Sequence, residues 1–314
     1  MNGTEDIARQ DRFTVGETVF YLSNGAIGAI FNCIVLWIAF VHIDTDDKPR
    51  QIIVINMTFA DLIMCLCYML TRPYLNFFPR ALCHPYYITI WTIQLVSCLN
   101  LVWLNVDKLI FIQFPLHYYS IINRKKLYVV SLVTWIVLGY IAFAVDSFMT
   151  ISGGCDRVLI NPYIYMPICV LYVVMILTSF VISAVIYFIA HTSTRSEARQ
   201  RTKLFHRLFF LFSSTLWTFF TCLPYRILYL LFMLCEPCRI EVVHQMTDTF
   251  FRILVVGMVI NPLITIWTQR IYRMHLLKFF NKWQDTREDT ETSARRHSTK
   301  WNNTVESTPL TTAL

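Results

Sequence analysis

Residues 86–112 read "YYITIWTIQLVSCLNLVWLNVDKLIFI", an apolar run without a charge until Asp107 and Lys108, and "QFP" follows. A helix needs about 20 mostly apolar residues to cross the hydrocarbon of a bilayer, and this run exceeds that length. Backbone groups facing lipid must pair within their own segment, so the run is a helix, and it is too long for a barrel strand. Asp107 and Lys108 then stand where the helix approaches water.

Six further runs of the same kind lie outward from it, at 19–41, 52–70, 127–149, 163–190, 204–234 and 247–267. The 314 residues are 56% hydrophobic and 15% charged, where a soluble domain carries about 25% charged residues. The chain reads as an all-α membrane protein, a seven-transmembrane helix bundle over 19–268. A polar segment, 1–18, precedes it; a short amphipathic eighth helix, 269–281, and a polar tail, 282–314, follow. The first segment has no apolar stretch ahead of a cleavage site, so the first span is expected to act as its own targeting signal.

Lys and Arg set the orientation. One set of loops holds Lys48, Arg50, Arg124, Lys125, Lys126, Arg195, Arg199, Arg201, Lys203, Arg207, Arg270, Arg273 and Lys278; the other holds Arg9, Arg12, Arg72, Arg80, Arg157 and Arg239. By the positive-inside rule the N-terminus is outside. The net charge of +7 reflects this bias, and no nucleic-acid patch is read into it. Four cysteines, Cys83, Cys155, Cys235 and Cys238, fall on the outer side and the other six within spans. An even outer set in an oxidising compartment reads as two disulfides, Cys83 to Cys155 and Cys235 to Cys238. The rival reading of Cys235-Glu-Pro-Cys238 as half a zinc site lacks a second ligand pair. Asn2-Gly3-Thr4 is an outer glycosylation sequon, whereas Asn302-Asn303-Thr304 falls on the inner side.

Charge inside a span is costly and marks function. Asp61 lies about 14 Å into the second run at about 1.5 Å per residue. Asn32, Ser97 and Asn261 lie at comparable depth and would make an oxygen-rich pocket for a hard monovalent cation, sodium.

Together these features resemble the rhodopsin-like (class A) G-protein-coupled receptors over roughly 19–280. The matching pieces are Asn32 with Val35, Ala60-Asp61, Cys83, Ser97, the triplet Asp107-Lys108-Leu109 followed by Pro115-Leu116, Trp135, Cys222-Leu223-Pro224 and Asn261-Pro262. "RIYRMHLLKFF", 270–280, suits that family's interfacial helix, with Tyr272, Leu276 or Leu277, and Phe280 on one face and Arg273 and Lys278 off it. Departures are equally specific. Lys108 stands for the family's arginine, Thr265 for a tyrosine, Cys222 for the span-six tryptophan, Thr218 for a phenylalanine and Ser179 for a span-five proline. No cysteine follows the interfacial helix.

The resemblance implies an extracellular ligand, a heterotrimeric G protein at Asp107, Lys108, Leu109, Pro115 and Leu116, and an outward swing of span six. Cys222, Pro224 and Pro262 mark the hinges. The foot of span six is Leu204, so no acid clamps Lys108 there, and a weak resting lock is expected. The amine-binding aspartate of relatives is Ile90 here, although a Cys235–Cys238 ring does occur in amine receptors. An opsin-like start, Met1-Asn2-Gly3-Thr4-Glu5, is not followed by a retinal lysine, because Val255 stands at that place.

The outer half is instead basic: Arg72, Arg226 and Arg252, with Tyr68, Tyr87, Trp91, Gln94 and Tyr225 as walls. Either these arginines bind a carboxylate or phosphate, or they pair internally with Asp146 or Asp248. The expected ligand is a small neuropeptide or another molecule with an acidic group. The alternatives are a biogenic amine receptor, a receptor-like protein that no longer signals, and a transporter, for which no internal repeat is visible. No nucleophile–base constellation suggests an enzyme. The tail, rich in Ser and Thr from 293, is expected to be disordered and, once phosphorylated, to recruit arrestin.

Overall fold

The computed structural model describes residues 13–45, 48–151, 155, 158–159, 162–192, 198–238, 240–279 and 281. Asn2, Phe280, the tail and the side chain of Leu204 lie outside the described residues. Seven helices are long and apolar enough to cross a membrane. They run Val15–His42, Gln51–Ile63 continued by a π-helical Met64–Met69, Cys83–Gln113, Arg124–Asp146, Pro162–Thr192, Ala198–Leu234 and Glu241–Thr268.

Most helices outrun their apolar stretches, and in spans one and four a polar side chain takes over a backbone N–H at the start. Thr14 caps span one: its hydroxyl accepts from Glu17 N while Glu17 returns a carboxylate oxygen to Thr14 N at 3.0 Å. Asn123 caps span four by accepting from Lys126 N at 2.9 Å. Span four ends early, at Asp146, where the chain turns toward a hairpin pairing Thr150 with Leu159 and Ile151 with Val158. This hairpin is the one addition to the all-helical expectation among the described residues.

Span three is central and packs on spans two, four and five; span six lies between five and seven, and span one rests on two and seven. Span four buries Leu127, Thr134, Leu138 and Ala142 and exposes Val129, Leu132, Val133, Ile136 and Tyr140. An apolar face so open suits lipid rather than water. Two disulfides, Cys83–Cys155 and Cys235–Cys238, stand at one end of the bundle.

At the other end a helix covers 270–279. Tyr272 is fully buried and donates its hydroxyl to Gln51 Oε1 at 3.0 Å, tying this helix to the start of span two. Burial pushes its phenol up, which keeps it a donor. Arg273 and Lys278 are exposed; Leu276 is half-buried and Leu277 open, so the apolar face runs through Leu276.

Candidate functional site

Between the two ends lies a narrow interior cavity of about 50 Å³. That is room for a few waters or an ion, not for a ligand. Asp61 and Asn261 line it, with Ser97 and Cys98 from span three, Cys222 from span six, and Arg226. Ser97 donates to Asp61 Oδ1 at 2.7 Å and Asn261 Nδ2 to Oδ2 at 3.4 Å. The expectation for Asn32 is corrected here. Its amide donates to Gly28 O, one turn back, at 2.9 Å and to Cys65 Sγ at 3.8 Å, the back-bonding that a short polar side chain makes within a helix. Oδ1 of Asn261 and of Asn32 are buried with no hydrogen-bond donor among the described residues.

Arg226 Nη2 donates to Gln94 Oε1 at 2.6 Å, and its guanidinium carbon stands 3.8 Å from the centroid of the Tyr172 ring. The Tyr172 hydroxyl in turn reaches Trp91 O at 3.2 Å. No carboxylate pairs with Arg226 among the described residues; Asp146 is taken by His84 Nδ1 at 2.8 Å. Arg72 has no ion-pair partner among the described residues either: it lies over the rings of Tyr68 and Phe13, and its buried Nε has no hydrogen-bond partner among them. Ring contacts pass from Tyr68 to Phe251, Tyr225, Tyr229, Tyr165, Trp91 and Tyr87, an aromatic belt around Arg226. Tyr87 donates to the carbonyl of Cys155, which holds the disulfide loop to the belt.

Asn105 links the middle of the bundle. Its Nδ2 lies 2.8 Å from Ser179 Oγ of span five and 3.2 Å from Thr215 Oγ1 of span six. Ser179, which replaces the expected proline, thus anchors a polar contact instead of a kink. Farther along span three, Lys108 Nζ meets Asp107 Oδ2 at 3.6 Å and lies over the Phe111 ring. Tyr118 donates to Asp107 Oδ1 at 2.6 Å. Burial, and then Asp107 beside it, push the Tyr118 phenol well above its ordinary value, so it remains a donor. Leu109 is half-buried, while Pro115 and Leu116 are exposed on the turn that follows.

The family model of the 7 transmembrane receptor (rhodopsin family) matches residues 31–264. The chain is 59% identical over 290 residues, 90% of each chain, to the G-protein coupled receptor aex-2 of Caenorhabditis elegans. This protein belongs to the rhodopsin family of seven-transmembrane receptors. It is a multi-pass G-protein-coupled receptor, and its family is one of receptors, not enzymes.

Of the residues singled out for this receptor's ligand, Gln94 and Arg226 line the cavity, and Tyr87, Trp91 and Tyr225 belong to the belt beside it. Arg72 stands at the edge of the same cluster. Arg252 and Asp248 do not join them. Both project from the far side of span seven, where Arg252 meets Glu17 at 3.0 Å and Asp248 meets His244 at 3.7 Å. Cys222 reaches the cavity in the tryptophan's place, and Pro224 and Pro262 sit within continuous helices. Tyr172 and Tyr118 were not anticipated. The signal for Tyr172 was a phenol inside an otherwise apolar span, which needs a polar partner.

Proposed function

We propose that this receptor responds to an extracellular ligand with an acidic group, in the first place a small peptide, and that Arg226 receives that group. One observation carries the reading: Arg226 is a buried guanidinium with no carboxylate partner among the described residues. A buried charge is costly unless compensated, and Gln94 with one aromatic face compensates only in part. An incoming carboxylate would complete the site bidentately. The disulfide-bearing end then faces outside, and the belt must part to admit the ligand. Tyr225 neighbours both Pro224 and Arg226, so a ligand on Arg226 acts on the segment where span six lacks a backbone hydrogen bond. Ligand binding favours the arrangement in which span six swings outward and a G protein meets Asp107, Lys108, Leu109, Pro115 and Leu116. A phosphorylated tail would draw arrestin.

Asp61, Ser97 and Asn261 fit a sodium ion, since they supply a carboxylate, a hydroxyl and an amide oxygen left without a donor. A bound cation would balance the Asp61 charge inside the membrane.

The reading is tested by screening matched peptide libraries, free-acid and C-terminally amidated, on cells reporting several second messengers. Hits should need their acidic group. Arg226→Gln, at equal surface expression, should weaken them by about 30-fold to 1000-fold, the loss expected for truncating a buried charge pair. Equal potency on Arg226→Gln, or equal potency of acid and amide forms throughout, would sink it.

A further inference from the structure

Span seven carries charge on the face turned away from the bundle. Leu254 lines the interior cavity, while Arg252 and Val256, each two residues away, stand about 200° around the helix from it. Phe20 of span one and Trp217 of span six flank this outer face, so the cleft they bound, about 630 Å³, opens toward lipid. Phe20, Trp217, Ile253 and Val256 make half of its lining apolar, and Gln245, Asp248, Thr249 and Arg252 make the part nearer the start of span seven polar and charged.

The depth of these charges matters. Span seven has 28 residues, about 42 Å, against about 30 Å of hydrocarbon. Asn261 meets the mid-span Asp61, so Arg252, nine residues nearer the start of the helix, lies about 13 Å from the mid-plane, just inside the hydrocarbon boundary at about 15 Å, and Asp248 lies about 20 Å from it, at the headgroup level. The two side chains are 61% and 53% exposed there. Glu17 meets Arg252 with one oxygen, but its other oxygen accepts from the Thr14 backbone and hydroxyl. More than half of each charged side chain thus stays open near the headgroup level, where a polar group of a lipid can meet it.

We propose that this cleft binds a zwitterionic glycerophospholipid, with its phosphate on Arg252, its ammonium on Asp248 and an acyl chain along Phe20, Trp217, Ile253 and Val256. The charges lie four residues apart on one helix, about 6 Å along its axis, with the acid nearer the membrane surface. A zwitterionic headgroup has the complementary order: its ammonium lies on a two-carbon bridge beyond the phosphate. An anionic headgroup fits poorly, because Asp248 and Glu17 flank the single guanidinium. The proposal is independent of the ligand assigned to Arg226.

The test uses the purified full-length receptor in detergent micelles. It is titrated with dioleoyl phosphatidylethanolamine, phosphatidylcholine or phosphatidylglycerol, and retained lipid is counted by native mass spectrometry. Wild type should retain the two zwitterionic lipids over phosphatidylglycerol. Arg252→Gln should lower that retention about tenfold, Arg252→Lys should keep most of it, and Asp248→Asn should narrow the preference against phosphatidylglycerol. Unchanged melting temperatures show that the variants fold. Equal retention of all three lipids by wild type, or unchanged retention by Arg252→Gln, overturns the proposal. Loss of a receptor dimer in Arg252→Gln without loss of lipid overturns it in favour of a second copy in the cleft.

Discussion

Lys108 keeps the charge of the family's arginine and loses its geometry. An ammonium is a compact point charge, and here it meets one oxygen of Asp107 at 3.6 Å while Tyr118 takes the other. The Asp107 oxygen facing Lys108 has no hydrogen bond among the described residues, so the contact is electrostatic rather than directional. A guanidinium at that position would add a charge-assisted hydrogen bond to the resting state, worth about 1 kcal/mol net or more. Lys108→Arg should therefore lower ligand-free nucleotide exchange on an added G protein about fivefold at matched receptor amount. Equal basal exchange in the two forms would show that this pair does not hold the resting state. The same reasoning shows why sequence reading reached Asp61 and not its whole neighbourhood. A charge at mid-span announces itself by its cost, but the Asn32 amide donates to a carbonyl of its own helix instead of Asp61, and nothing in the residue string separates the two cases. Tyr118 was hidden for a different reason: it reaches Asp107 only because the chain after Pro115 folds back under span three.

The packing of span one against span two rests on two glycines and the π-helical turn opposite them. A Cβ on Gly28 would stand 2.6 Å from Cys65 Sγ, and one on Gly25 would stand 2.8 Å from Leu70 Cδ2. Small residues allow helices to approach closely in lipid, where no hydrophobic force pulls them together. Gly28→Ala should cost about 1–3 kcal/mol as an overpacked contact, read as a lowered melting temperature of the purified receptor. Cys65→Ala removes the clashing sulfur, and the double variant should recover most of the loss; a purely additive double variant would refute this contact as the cause. Apolar run length located all seven spans, because the bilayer demands it. It could not show the π-helical turn at Met64–Met69 or the short hairpin, since neither changes the apolar pattern. It also misplaced Arg252. Depth is read directly from position along a run, but facing requires the rotation to be followed, and Arg252 and Leu254, two residues apart, open on opposite surfaces of span seven.

The molecule as a whole is polarised by charge and by redox chemistry, and the two agree. Both disulfides stand at one end, while Lys108, Tyr118 and the 270–279 helix stand at the other. Cysteines that are free among the described residues all lie within the spans. The loops at the end away from the disulfides carry most of the Lys and Arg, which resist translocation. Disulfides form and persist mainly in an oxidising compartment, so the two arguments support the same proposal, an N-terminus on the outer side. The sequons at Asn2 and Asn302, outside the spans, then make the topology measurable without a ligand, because glycosylation reaches only the translocated side. The receptor from a eukaryotic cell membrane should lose the mass of one glycan on enzymatic deglycosylation. Asn2→Gln should abolish that shift and Asn302→Gln should leave it intact. A shift that instead follows Asn302 would invert the molecule, placing Arg226 and its aromatic belt on the cytosolic side and removing the basis for an extracellular acidic ligand.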